Sequence, residues 1–298
     1  MSACPADSPT ALGDPEATGE GPPPPGVLVG SPPGGTLNPE PPNVARVYDA
    51  LIGGKDHYAA DREAARALEA AVPGAAQAAR DNRAFLGRAV RFLASRHGIS
   101  QFLDIGTGLP TREHVHQAAR KVNPEARVVY ADSDPVVVAY ARALLAGQPG
   151  IAAVTGDVRY PRDLLTDPAV RAVLDFSRPV AALLIAVLHF VTDDEDPWAA
   201  VRCIVDHLAP GSFLVISHVT GDEIPARAVE QAREIYATAQ APGTARSRAE
   251  VTRFFDGTQL TGTGVTDVAT WHAARRATAA KPALFWAGIG RKPEAIQP

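Results

Sequence analysis

Phe102-Leu103-Asp104-Ile105-Gly106-Thr107-Gly108-Leu109-Pro110-Thr111 is the stretch that decides how this chain is read. An apolar run suited to a buried strand ends in two glycines spaced by one residue, and a helical pattern follows. Glycine at 106 and 108 lets the backbone turn sharply, and lets a flat ligand approach the main chain where a Cβ would collide. Such a turn is weak evidence alone, so the surrounding chain has to supply the context.

From Gln101 onward, short apolar runs alternate with helical patterns, the sequence form of a parallel sheet with crossover helices. Strands are predicted over Phe102–Ile105, Arg127–Ala131, Ile151–Thr155, Val180–Val187 and Phe213–Ser217. Three intervening helices announce themselves through Asp134-Pro135, Asp167-Pro168 and Asp196-Pro197, an N-cap acid before a proline at the first helical position. Beyond Ser217 come a helix over Pro225–Ala239, a second opened by the capping box Ser247/Glu250, and two apolar runs, Gly264–Thr270 and Ala283–Ile289, that suit a long closing hairpin. Upstream, helices are expected at Val44–Leu51, His57–Ala71 and Ala75–His97, with Gly53-Gly54 as a stop. On the last of these, Phe85, Leu86, Val90, Phe92 and Leu93 share one side. Arg80, Arg83, Arg88 and Arg91 share the other, which reads as a solvated face in preference to an anion site.

Residues 1–42 hold twelve prolines and seven glycines, too little apolar surface to offset the entropy of ordering, and are expected to be a disordered tail. Residues 43–98 are then a helical cap and 99–298 the ligand-binding domain. Lysine and arginine total 29 against 33 acidic residues, a net charge of −4, which argues against nucleic acid as a partner. Two cysteines, Cys4 and Cys203, are too few for a disulfide framework or a cysteine-rich zinc site. No apolar run is long enough to span a bilayer and no secretory signal opens the chain, so a cytoplasmic location is expected.

The context of the glycine turn lies in the acids. Asp132 ends the next strand, 24 residues after Gly108, where a carboxylate can accept both hydroxyls of an adenosine ribose. Asp157 follows the third strand in Thr155-Gly156-Asp157-Val158, placed to accept the adenine amino group while Val158 packs on the ring, although an ordinary Gly-Asp turn reads equally well in isolation. Three acids at successive strand ends would line the carboxyl edge of the sheet, where ligands of this architecture bind. Pro110 stands where a dinucleotide fingerprint has its third glycine, and it offers no N–H to a pyrophosphate. S-adenosylmethionine carries no phosphate, so the substitution favours it over a nicotinamide dinucleotide.

At this point the sequence resembles the actinobacterial S-adenosylmethionine-dependent methyltransferase-like family catalogued as a domain of unknown function, DUF574. The resemblance runs from Pro42 to Lys292 through Asn43-Val44-Ala45-Arg46-Val47-Tyr48-Asp49, Gly53-Gly54-Lys55-Asp56, Gln101–Thr111, Val129–Pro135 and Leu284–Lys292. It implies an α/β, Rossmann-like class I methyltransferase fold with a mostly parallel seven-stranded sheet whose last strand is antiparallel. It also implies cofactor binding at Gly106, Gly108, Asp132 and Asp157. The full candidate cofactor set is Asp104, Gly106, Thr107, Gly108, Asp132, Ser133, Asp157, Val158 and Ala186.

Two further residues are candidates for catalysis. His189, just beyond the fourth strand, is placed to serve as a general base on an acceptor hydroxyl or amine, or simply to pack. Tyr48 belongs to a polar cluster around Gly53-Gly54 that reads either as a lid over the cofactor or as a locally ion-paired helix-turn-helix. His114 and His116, two apart, do not share a helical face and suit no metal. The carboxylates of Asp193–Asp196 fit a helix start better than a divalent cation. The expected activity is methyl transfer to a small-molecule acceptor; the rival readings are a non-catalytic S-adenosylmethionine sensor and, less favoured, a nicotinamide-dependent oxidoreductase.

Overall fold

The computed structural model describes residues 40–110, 113–145, 147–239, 241–273 and 282–294; the expected tail lies outside them up to residue 39. Helices α1 (Val44–Ile52), α2 (Ala59–Ala71) and α3 (Ala75–His97) come first. Strands and helices then alternate: β1 (Gln101–Ile105), α4 (Val115–Arg120), β2 (Arg127–Asp132), α5 (Pro135–Leu145) and β3 (Ile151–Thr155). The short α6 (Pro161–Thr166) and α7 (Pro168–Val173) precede β4 (Ala181–Ile185), α8 (Pro197–His207) and β5 (Phe213–Val219). After α9 (Ala226–Thr238) and α10 (Arg248–Arg253) come two strands of two residues each, β6 (Gln259–Leu260) and β7 (Thr266–Asp267), before β8 (Phe285–Arg291) closes the sheet.

The local signals act as their chemistry requires. Asp167 accepts from the N–H groups of Ala169 and Val170, Asp196 from Ala199 and Asp134 from Val136, so each Asp-Pro pair does start a helix. The Ser247/Glu250 capping box is formed at α10. Gly53 ends α1 at φ +77°, while Gly54 lies so close to the Asp49 carboxylate that a Cβ there would overlap it.

Strand order is β3-β2-β1-β4-β5-β8-β6, with β7 also pairing on β8. β1 to β5 are mutually parallel, and β8 is antiparallel to β5, β6 and β7 alike, so it alone runs against the rest. The topology is the expected one, but the strand count is eight because the sixth position is split. Gly262 and Gly264 adopt positive φ between β6 and β7. Asp267 then ends β7 early, its side chain accepting from Ala269 N–H and its carbonyl from Thr270 and Trp271.

Both sheet faces are covered, so β1 buries every residue. Phe102 joins Phe85, Val90 and Leu93 of α3 with Phe213, Trp271 and Ile289. Its neighbours Leu103 and Ile105 turn to the other face, among Val129, Leu184, Ile204 and Phe254. A third, smaller core holds Val47, Leu51, Ala65, Leu68 and Ala79, against which Ala232, Ile235 and Tyr236 of α9 pack. α3 thus contributes to two cores.

The arginine stripe of α3 departs from the expected solvated face. Arg88 donates to the carbonyls of Trp271 (2.9 Å) and Val268 (2.5 Å), Arg80 to Leu51, Arg83 to Glu113, and Arg91 pairs with the Glu113 carboxylate. Loop carbonyls that would otherwise lack donors are tied to the helix in this way. No helix of the described residues is long and apolar enough to cross a membrane.

Candidate active site

The two glycines of the β1–α4 turn have different duties. Gly106, at φ +73°, donates to the Ala131 carbonyl, and a Cβ there would overlap the Val187 side chain. Gly108, at φ +64°, has nothing among the described residues within 4 Å of where a Cβ would stand. The first glycine seats the β4 loop, while the second keeps space open above the turn.

Asp132 meets that turn directly. Its Oδ2 accepts from Gly108 N–H at 2.9 Å and its Oδ1 from Asp134 N–H at 3.0 Å. Each oxygen retains a second lone pair for a ligand hydroxyl. Burial raises the Asp132 carboxyl, and the two N–H donors partly counter the rise. Asp104, buried beneath the turn, accepts from Thr107 Oγ1 at 3.0 Å. Desolvation pushes its carboxyl up to about 6 despite the Arg83 charge and the Thr107 hydrogen bond. Asp157 is gripped by Arg159, which donates from Nη2 at 2.5 Å and bridges to Glu195 at 2.9 Å. Ala186 takes φ +55°, uncommon for a residue with a Cβ, and its N–H is shared between Ser217 O and Oγ at 3.1 Å each.

One cavity of about 540 Å³ brings these groups together. Its wall includes all nine candidate cofactor residues and both candidate catalytic ones, His189 and Tyr48. Asn43, Val44 and Ala45 of the N-terminal segment line it too, and Asn43 Nδ2 donates to Asp134 at 2.8 Å. The start of α1 therefore borders Asp132 and Asp134. Six carboxylates face the cavity, from Asp104, Asp132, Asp134, Asp157, Asp194 and Glu195, against two guanidinium groups, from Arg83 and Arg159. The excess suits a cationic ligand and opposes a pyrophosphate.

A second, largely apolar chamber of about 100 Å³ adjoins the first, and the two share Tyr48, His189, Tyr236 and Phe285. Tyr48 offers its ring, because its hydroxyl donates to Ala79 O (2.9 Å) and accepts from Asn82 (3.0 Å). His189, on the turn Leu188–Phe190, is 3 % exposed and its Nδ1 has no hydrogen-bond partner among the described residues. Burial holds its pKa well below the usual value, with His218 and the Arg246 charge adding to the effect, so the ring is neutral.

Arg246 holds this loop, and nothing in the sequence reading singled it out. Buried to 1 %, it donates to Leu188 O (3.0 Å), Val191 O (2.8 Å) and Asp193 Oδ1 (2.6 Å), and to His218 Nε2 (2.9 Å). Trp198 and Phe254 cover its guanidinium at 5.0 and 5.7 Å. A donor at Nε2 makes that atom the acceptor, so His218 carries its proton on Nδ1 and donates it to Val219 O at 2.7 Å. The acidic run divides its labour: Asp193 meets Arg246, Glu195 meets Arg159 and Thr192, and Asp196 caps α8. His114 caps α4 from extended backbone, which stacks its ring on His116 at 5.4 Å.

The strand order, glycine turn and acid-lined cavity define a class I methyltransferase that uses S-adenosylmethionine. The comparisons agree. The family model described as S-adenosyl methyltransferase matches residues 33–293, and the chain belongs to that family. A crystal structure of a candidate methyltransferase from Thermobifida fusca is 42 % identical, with a TM-score of 0.80 over 85 % of this chain and 95 % of that one. A DUF574 family protein from Streptomyces avermitilis is 40 % identical, with a TM-score of 0.80 over 85 % and 98 %. Among curated proteins none matches.

Proposed function

We propose that this enzyme methylates a small molecule, with Asp104, Gly108, Asp132 and Asp157 holding the cofactor and His189 serving the acceptor. The observation that carries the proposal is the shared wall: the cavity bearing the glycine turn and its acids has Tyr48, His189, Tyr236 and Phe285 in common with a second chamber, which offers space to another reactant. A volume of about 540 Å³ falls within the range of small-molecule sites, roughly 300–1,000 Å³. The clear space above Gly108, the acids and the buried Asp104 carboxylate fit a phosphate-free, cationic nucleoside.

S-adenosylmethionine, held by Asp104, Gly108, Asp132 and Asp157, would supply an electrophilic methyl carbon to an acceptor lone pair, with the sulfur keeping the electron pair of the bond given up. The protein's part is alignment, exclusion of water and a destination for one proton. His189, neutral and on the wall that the two cavities share, is that destination for a hydroxyl acceptor. A methylated hydroxyl oxygen is far more acidic than a free one, so a weakly basic imidazole suffices. α1, tied by Asn43 to Asp134, acts as the lid. The second chamber also favours catalysis over a purely sensory role, which needs no acceptor space.

Calorimetric titration tests the reading. Wild-type protein binds S-adenosylmethionine and S-adenosylhomocysteine but not a nicotinamide dinucleotide, and Asp132→Asn weakens binding at least tenfold. Unchanged affinity in that variant, or preference for the dinucleotide, refutes the assignment of the site.

A further inference from the structure

The second chamber lies between the N-terminal helices and α9. Leu51, Leu68 and Ala78 line it on one side, Val229 and Ala232 on the other, with Phe285 of β8 between them. Its volume of about 100 Å³ is smaller than the roughly 150 Å³ of a dry apolar cavity that takes up benzene, so a small ring held there keeps its polar end in the adjoining cavity. A hole of this size forfeits dispersion contacts that larger side chains would have made.

Five polar side chains line it: Thr220 accepts from Asp222 N–H at 3.1 Å, Tyr236 stands on the wall shared with the first cavity, and Tyr48, Arg233 and His189 complete the set. The Tyr48 hydroxyl is saturated by Ala79 and Asn82. Arg233 is exposed and stands 3.6 Å from Glu230, so it brings no unbalanced charge into the interior. His189 Nδ1 is buried and lacks a partner among the described residues, which a native structure rarely tolerates without a reason. We infer that this chamber is the acceptor site and takes a small, uncharged, ring-sized apolar molecule with a single hydroxyl, of the phenol class, whose oxygen lies at the wall shared with the first cavity, where His189 and Tyr236 stand. A hydroxyl both donates and accepts, so it can pair with polar side chains of either kind at that wall. An ammonium group would be stripped of water there with no opposite charge to receive it, and for a carboxylate the one cation on the wall, Arg233, is exposed and already beside Glu230.

The inference rests on the methyltransferase reading of the neighbouring cavity, and binding measurements separate the two. 4-Methylphenol and 4-hydroxybenzoate are titrated, each alone, into protein saturated with S-adenosylhomocysteine. The expected result is saturable binding of 4-methylphenol, at least tenfold tighter than 4-hydroxybenzoate. Val229→Trp and Ala232→Phe, which fill the chamber from α9, then weaken 4-methylphenol at least tenfold and leave S-adenosylhomocysteine affinity within twofold. No residue of α9 is fully buried, so these larger side chains can be absorbed, and retained S-adenosylhomocysteine binding reports the fold. Tighter binding of 4-hydroxybenzoate, no binding of 4-methylphenol, or equal binding by wild type and both filled variants overturns the acceptor assignment while the cofactor site stands. Loss of S-adenosylhomocysteine binding by wild type itself would instead refute the parent reading.

Discussion

Replacing Asp104 by asparagine is expected to stabilise the folded enzyme above neutral pH while weakening its hold on the cofactor. Asp104 is 3 % exposed, and its carboxyl is raised from 3.8 to about 6. Each pKa unit corresponds to about 1.36 kcal/mol, so keeping this group ionised in the fold costs about 3 kcal/mol. Because the folded value lies above the unfolded one, the cost is complete above about pH 6 and fades as the pH drops toward 3.8, where both states are protonated. Asparagine keeps the shape and can still accept from Thr107 Oγ1, at 3.0 Å in the wild type. Asp104→Asn should therefore gain about 3 kcal/mol at pH 8, a rise in Tm of roughly 2–4 °C for each kcal/mol, and nothing near pH 4. Scanning calorimetry at both pH values measures this. In parallel, S-adenosylhomocysteine affinity should fall at least tenfold in the variant, and in the wild type it should decline as pH drops through about 6. A variant less stable than wild type at pH 8 would refute the reasoning, because the carboxylate would then be a structural asset and not a charge held ready for a cationic ligand.

The glycine pair should respond unequally: Gly106→Ala, which drives a methyl into Val187, is expected to destabilise the fold by several kcal/mol in urea denaturation, whereas Gly108→Ala carries only the roughly 1–2 kcal/mol strain of positive φ and loses cofactor binding by collision. Arg246→Met removes the donor to Leu188 O, Val191 O and His218 Nε2, and at about 1–3 kcal/mol for each orphaned group it should cost several kcal/mol; calorimetric stability equal to wild type would show that the loop carrying His189 holds itself. Burial depresses His218 from 6.5 to about 3, so its neutral form supports the fold fully above about pH 6.5, and that support is lost progressively as the pH falls toward 3. Equilibrium unfolding of His218→Gln followed from pH 7 to pH 4 should show a shallower decline than the wild type.

By itself the sequence determined the order of elements, the five parallel strands, the glycine turn and the acids at the strand ends. These are short-range messages: apolar alternation, an aspartate before a proline, a residue without a Cβ where φ must be positive. The Asp132–Gly108 contact was legible for the same reason, since consecutive parallel strands carry their C-terminal ends to one edge of the sheet. The split of the sixth strand was not, because an apolar run does not disclose that Asp267 will cap its own turn. Nor was the burial of Arg246, whose partners Leu188 and Val191 lie more than 50 residues away, or the clamping role of Arg88, which reaches Trp271 across 183 residues. The second chamber is the clearest case of a feature decided in three dimensions. It exists because α9 packs on α1 and α2 while leaving a gap beside His189, and the volume between two packed surfaces depends on how they meet. No single segment encodes that gap.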